Sequence, residues 1–465
     1  MSKSVLSFCG NSPSPRLKHA AEVVAGWWGM EVNWTEQGAV PGWVSLEVNG
    51  TRVACWQTHP MVEIGASTKT RVAFFRWQWD GRIPFELMLP CASESGLDLP
   101  GELKGTLQLP LDPLACTFWG ISCWQEQSEE LERDAHGRPT TSRLPWTKES
   151  GKASFGGKEL PMMWQHRWPW LELMWSALFK EWLGLERPYL TFRPTVDVDV
   201  AFKHLGRPWY KTLLLHARDF ATFRWSNALE RSRVIRVLKP DPYDTFGFLR
   251  EVHRDEPLMW FVLAADRKKP HDVGLDPRRA VLPHLVQSLS SHSADVEVCC
   301  HPGYQAVEDP QTRKKECARF WGWEGANSNI VRAHFLRSEP GPGWRMWEDL
   351  GVREDASLGW SREVGFRAGT SRAFRAYDVE ADRPLALKVH PVAAMDSAMT
   401  RGLNWNPEEA KGQLDEMMEV VSAAGGTWMS CWHNTSVSDR DEWVGWRATY
   451  LHMVQTARSL SRRTL

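Results

Sequence analysis

Thr195-Val196-Asp197-Val198-Asp199 closes a stretch from Leu190 to Val200 whose alternation of apolar and polar residues predicts a β-strand. Residues i and i+2 share one face of a strand, so the carboxylates of Asp197 and Asp199 point the same way. Two such charges held close are costly unless a cation joins them or one takes a proton. A metal-bound carboxylate beside a carboxylate base satisfies that requirement. Two strand-end aspartates capping the following turn would also account for the pattern.

Outward from this strand the chain alternates. Candidate strands fall at Leu258–Ala264, Val296–His301, Ile330–Leu336, Glu354–Leu358, Ala386–Pro391 and Thr427–His433. Helical spacing falls between them, at Trp209–Arg233, Thr245–His253, Pro277–Ser291, Pro310–Phe320, Trp344–Leu350, Pro407–Ala423 and Asp441–Thr456. Short strands separated by helices predict parallel strands with crossover helices, an α/β fold. In α/β barrels the strand carboxy ends carry the chemistry. Here those ends hold His301-Pro302-Gly303-Tyr304 after Val296-Glu297-Val298-Cys299-Cys300, and His433 after Thr427-Trp428-Met429-Ser430-Cys431-Trp432. Imidazole beside carboxylate is a sensible partial shell for zinc and similar ions. An imidazole titrating near ~6.5 also serves as a general acid at neutral pH.

The amino-terminal part reads differently. It combines one helix-like stretch, Pro15–Met30, with half-buried strands at Trp43–Val48 and Val72–Trp77. Residues from Ser128 to Lys158 are polar, with loop chemistry around Asp134-Ala135-His136-Gly137-Arg138. A helix follows at Trp168–Leu183. At 465 residues the chain exceeds one ordinary core.

The balance of 56 basic against 57 acidic side chains, net −1, supplies no electrostatic reason to expect nucleic acid or an anionic membrane as partner. The longest apolar run, Leu258–Ala265, is far short of the ~20 residues of a membrane helix. No signal-peptide pattern is visible, and nine cysteines without CxxC spacing read as reduced thiols, so a cytoplasmic protein is expected. The 28 tryptophans are the compositional oddity. Indole faces stack on sugar rings, although most tryptophans are packing residues.

In order, these motifs continue with Arg332-Ala333-His334-Phe335-Leu336-Arg337, Asp355-Ala356-Ser357-Leu358-Gly359-Trp360, Gly365-Phe366-Arg367-Ala368-Gly369-Thr370, Met395-Asp396 and Trp432-His433-Asn434. The series resembles a bacterial branch of the polysaccharide deacetylases (NodB-type), in which a poorly characterised amino-terminal domain precedes the barrel. Asp241-Pro242-Tyr243-Asp244-Thr245-Phe246 and the 134–138 segment share the likeness. The resemblance implies a mixed α/β domain over 1–125, a connecting arm and helix over 126–189, and a distorted (β/α)7 barrel over 190–465. It implies a divalent metal, zinc first with cobalt or nickel as substitutes, and a carbohydrate substrate. Asp197 matches the family's base, Asp199 and His301 its metal ligands, and His433 its acid. Asp355 and Arg367 match polar groups that line the family's pocket or orient its acid and base, and Arg332 or Arg367 is expected to position Asp197 by a bidentate contact. Tyr304, Trp360 and Trp432 are the candidates for substrate contact. The family's second motif offers two histidines four apart, whereas here Gln305 stands four after His301. His334 is the candidate for the missing nitrogen. The activity implied is removal of an acetyl group from an acetylated sugar or polysaccharide precursor. The alternative is a deacetylase-like carbohydrate-binding or assembly protein without catalysis.

Overall fold

A computed structural model describes residues 5–63, 66, 72–77, 87–91, 100–127, 131–142, 144–148, 152–155, 158–184, 189–266, 271–291 and 296–462. The amino-terminal part is built on strands β1 (Val5–Gly10), β2 (Glu31–Thr35), β3 (Trp43–Val48) and β4 (Thr51–Gln57). Two hairpins, β5 (Phe74–Trp77) with β6 (Leu87–Pro90) and, after β7 (Leu107–Gln108), β8 (Lys152–Phe155) with β9 (Lys158–Pro161), stand apart from the main sheet. That sheet runs β2-β1-β3-β4-β7. A helix at Pro15–Trp27, capped by the Ser14 hydroxyl and begun by Pro15, makes the parallel crossover from β1 to β2.

The second sheet positions the site. Its strands are β10 (Thr191–Val198), β11 (Met259–Leu263), β12 (Glu297–His301), β13 (Ile330–Val331), β14 (Glu354–Gly359), β15 (Phe374–Asp378), β16 (Arg383–Val392), β17 (Ala394–Met395) and β18 (Thr427–His433). They lie in the order β15-β16-β14-β13-β12-β11-β10-β18-β17, all parallel except the β15–β16 pair. One residue separates β16 from β17, and that run pairs with β14 through Lys388–Val392 and with β18 through Ala394–Met395. The row therefore curls on itself. Central strand β11 is buried at every position, as its unbroken apolar run Met259-Trp260-Phe261-Val262-Leu263 requires. Pro194 has no N–H to donate, and it falls where β10 pairs with β18 but not yet with β11.

The α/β class is as expected, and most element centres fall where the periodicity put them. Two differences have local causes. The spacing predicts one helix over Trp209–Arg233, but Trp209–Ala221 and Trp225–Ile235 are separate. Phe223 is left-handed (φ 56°) and the Arg224 N–H donates to the Asp219 carbonyl at 2.7 Å, a capping turn that ends the first helix. The strand predicted over Ile330–Leu336 stops at Val331. Phe335 (φ 65°) and Leu336 (φ 51°) then turn the backbone out of the sheet.

The two sheets share one hydrophobic core that runs from Leu6 to Leu460. The Pro15–Trp27 helix docks on β15 and its approach: His19 Nε2 lies 2.9 Å from the Arg375 carbonyl, and the Trp27 indole donates to the Ala373 carbonyl at 3.1 Å. Most charged groups inside this junction are paired. Arg367 Nε donates to Glu126 Oε1 at 2.9 Å with both side chains buried, and a second Arg367 nitrogen holds the other oxygen. Burial opposes the guanidinium charge, but Glu126 raises the Arg367 pKa above its usual value. Removing one member of such a pair strands the other without water. Glu126→Ala is therefore expected to destabilise the protein by about 3–5 kcal/mol in denaturant unfolding. A Glu126→Leu/Arg367→Met double variant should recover most of that loss.

Candidate metal centre and cleft

At the carboxy ends of β10, β12, β13 and β18 the curled sheet opens into a cleft of about 540 Å³. Asp199 follows the end of β10 on its floor. Three imidazoles converge on its carboxylate: His301 Nε2 at 3.1 Å from Oδ1, and His334 Nε2 and His433 Nε2 each at 3.3 Å from Oδ2. Each ring is fixed by its other nitrogen. His301 Nδ1 donates to the Arg332 carbonyl, His334 Nδ1 meets Asp272 Oδ1 at 2.8 Å, and His433 Nδ1 meets Asp396 Oδ1 at 2.7 Å. Bonds of this kind set the tautomer and aim the free Nε2 lone pair, as they do around metal ions.

The donor set fits a cation. Ligand atoms of Asp199, His301 and His334 all lie within 4.8 Å of one another. Asp199 Oδ1 and His301 Nε2 are buried and make no hydrogen bond, although they approach to 3.1 Å. A carboxylate with two imidazole nitrogens is a common ligand set for zinc. Burial works to raise the Asp199 pKa, but the facing His334, His433 and His301 hold it well below the usual carboxylate range. Burial likewise opposes charge on His334, yet Asp199 and Asp272 raise its pKa to about 9.

Asp197 lies one strand step back, in register with His433 across β10–β18, and it too lines the cleft. Arg332 Nη1 donates to Asp197 Oδ1 at 2.6 Å and to Thr195 Oγ1 at 2.8 Å, while its Nε donates to the Ala356 carbonyl at 2.9 Å. The guanidinium lies over the Phe261 ring at 4.1 Å. The bidentate arginine expected for Asp197 is thus a single contact from one nitrogen, because the Arg332 fork is divided among three partners. The second oxygen of Asp197 accepts from Cys431 Sγ at 3.1 Å and sits 3.8 Å from His301 Nε2.

Other expected residues sit elsewhere. Arg367 does not reach Asp197; it belongs to the Glu126 pair and also donates to the Ser338 carbonyl at 3.1 Å. Asp355 does not line the cleft. Burial pushes its pKa up to about 6, and it accepts from the Ser357 N–H at 2.8 Å. Ser357 Oγ in turn accepts from the Ala333 N–H at 2.8 Å, so Asp355 braces the turn that delivers His334. Trp360 is buried near His166 and Arg367, and Trp432 is buried against Tyr450 and Trp446, so neither lines the cleft. The tryptophan of the cleft wall is Trp443. Tyr304 does not line the cleft but packs behind its wall: its hydroxyl lies 3.0 Å from His136 Nδ1 and the Arg337 guanidinium covers its ring at 4.2 Å. Gln305 bonds to Glu308 at 3.3 Å, and the nitrogen absent from its position is matched by His334.

The polar stretch around 134–138 is an ordered arm on the cleft wall. Asp134 caps the His136 and Arg138 amides at 2.9 and 3.0 Å, and Arg138 Nη1 donates to the Phe335 carbonyl at 2.8 Å. That contact helps hold Phe335 in its unfavourable left-handed conformation. Asp272, Asp396 and Cys431 are the partners that sequence reasoning missed or left undecided. Asp272 and Asp396 share one readable signal, an acid shortly after an apolar strand.

No protein-family model matches the chain, and neither does any curated protein sequence. Among solved structures it is similar to a "putative polysaccharide deacetylase from Mycobacterium smegmatis", at 15% identity and a TM-score of 0.36, covering 60% of this chain and 93% of that one. It is also similar to a 4-alpha-glucanotransferase from Thermococcus litoralis, at 11% identity and a TM-score of 0.34, covering 60% of this chain and 38% of that one. Likenesses this distant carry no assignment, so function rests on the site.

Asp272→Asn is expected to weaken zinc binding about 10- to 100-fold in a chelator competition, because His334 loses its orienting carboxylate. A metal must displace the proton that His334 holds up to about pH 9. Apparent affinity therefore rises as pH increases toward that value and falls on acidification. Affinity that stays flat between pH 6 and 8 would exclude His334 as a ligand.

Proposed function

We propose that the protein is a metal-dependent hydrolase that removes an acetyl group from an acetylated sugar. The observation that carries this reading is the convergence of His301 and His334 on Asp199, beside two differently supported proton carriers, in one cleft. A divalent ion held by Asp199, His301 and His334 supplies Lewis acidity toward an acyl carbonyl and toward water. Zinc suits the two imidazoles and one carboxylate, with cobalt or nickel as substitutes.

The chain's own groups divide the proton work. Asp197 takes a proton from the attacking water, with Arg332 holding its carboxylate in place. Forming the carbon–oxygen bond to the acyl carbon is followed by cleavage of the carbon–nitrogen or carbon–oxygen bond to the sugar. His433 gives its Nε2 proton to the departing amine or alkoxide, and the products are acetate and the free amine or alcohol. Burial opposes the His433 charge, but Asp396 and Asp199 raise its pKa well above the ordinary histidine value. Asp396, which is not among the proposed metal ligands, is the carboxylate that continues to favour the acid form. Asp396 fixes the ring so that Nε2 points into the cleft.

Gln305 supports a second reading, a deacetylase-like fold that binds carbohydrate or assists assembly without hydrolysis. Acetate release separates the two. Zinc-loaded protein is expected to release acetate from an acetylated chitooligosaccharide. Asp197→Asn and His433→Gln should each retain metal and lose about 10²–10⁴ in kcat. Loaded wild type that binds the oligosaccharide and releases no acetate would favour the second reading. An Asp197→Asn variant as active as wild type would remove Asp197 from the mechanism.

A further inference from the structure

The helices Trp209–Ala221 and Trp225–Ile235 form a hairpin inserted between β10 and β11. Its feet stand on the cleft wall. The Asp241 carboxylate accepts from the Lys203 and His204 amides at 2.8 Å each on the way in, and from the Tyr243 amide at 3.0 Å on the way out. Val200 and Tyr243, which flank those anchor points, line the cleft itself.

The hairpin turns apolar side chains to solvent. Trp209 is 78% exposed, Phe223 78% and Leu238 72%, with Leu213, Leu214 and Trp225 exposed as well. Trp209 and Leu213 are four residues apart on one helix and so share one of its faces. Phe223 packs edge-on to Trp225 at 6.2 Å at the tip. Exposed apolar side chains gathered on one hairpin in this number mark a contact site.

The exposed charges of the hairpin have one sign. Arg218, Arg224, Arg233 and Arg236 are exposed. The hairpin's two carboxylates are consumed within the fold: Asp219 is fully buried against Arg231, and half-buried Glu230 is shared by Lys203, His204 and Lys239 at 3.5, 3.0 and 3.7 Å. The overall net charge of −1 conceals this segregation. Aromatic and aliphatic side chains interspersed with arginines, and no exposed acid, are what an anionic bilayer surface takes up. A symmetric contact between two copies would lay these arginines against one another. Among the described residues no helix is long and apolar enough to cross a membrane, so the contact is peripheral.

We infer that the 209–238 hairpin docks the protein onto an anionic phospholipid surface, with the cleft mouth beside the attachment. The inference is independent of the metal site. The test is flotation of the full-length protein with phosphatidylcholine vesicles, neutral or containing about 30% phosphatidylglycerol. Wild type is expected to float with the anionic vesicles, not with the neutral ones, and to be released by high salt. The Arg224→Ser/Arg236→Ser variant should lose partitioning on the order of thirtyfold, at about fivefold per arginine. Trp209→Ser/Phe223→Ser/Trp225→Ser should abolish flotation. Because these side chains are exposed, both variants should keep the wild-type circular dichroism and unfolding midpoint, which verifies that the fold is intact. Failure of wild type to float, or flotation unchanged in both folded variants, overturns the inference. So does a dimer in light scattering that both variants dissolve without any vesicle binding, since a second copy would then cover the face.

Discussion

One carboxylate faced by three imidazole nitrogens is the constraint around which the cleft is organised. Neutral imidazoles present lone pairs at Nε2, and lone pairs aimed at a carboxylate repel it. Asp199, His301, His334 and His433 can share that space only if protons or a cation sit among them. Because Arg332, Asp272 and Asp396 occupy the Nδ1 side of the rings, the positive charge is required on the Nε2 side, in the cleft. The arrangement therefore prefers a cation or bound protons at one defined point.

Much of the surrounding structure holds that point still. Arg332 is fully buried and divides its nitrogens among Asp197, Thr195 and the Ala356 carbonyl, which ties β10, β13 and β14 together beneath the site. Asp355 through Ser357 fixes the Ala333 amide, and Arg138 fixes the Phe335 carbonyl. The turn bearing His334 is thus held from two directions, one of them outside the curled sheet. A left-handed Phe335 costs about 1–2 kcal/mol, which such bracing offsets.

Residues that belong to periodic elements were legible in the sequence. The i, i+2 rule on β10 placed both aspartates at a strand end, and the apolar runs before His301 and His433 placed those rings at neighbouring ends. Non-local contacts were not legible. Asp272 and Asp396 belong to no periodic pattern that marks them out, and their role comes from distant partners, the His334 and His433 rings and the Tyr304 and His433 amides. Trp360 and Trp432 read as sugar platforms because they flank motifs, yet packing within the shared core takes both. Arg367 was matched to Asp197 by motif order, while the Glu126 that binds it is 241 residues away. Overall charge carries no trace of the hairpin's composition, because averaging over the chain hides the exposed arginines and apolar side chains of 209–238.

The proposed chemistry depends on a divalent ion at Asp199, His301 and His334. X-ray absorption spectroscopy of the zinc-loaded protein tests it most directly. Asp197, Cys431 and His433 form a second group of potential ligand atoms nearby, and it differs by its sulfur. Zinc at Asp199, His301 and His334 is expected to show a shell of nitrogen and oxygen at ~2.0–2.2 Å with imidazole scattering and no sulfur. A zinc–sulfur distance of ~2.3 Å would place the ion at Cys431 instead and rule out the Asp199 site.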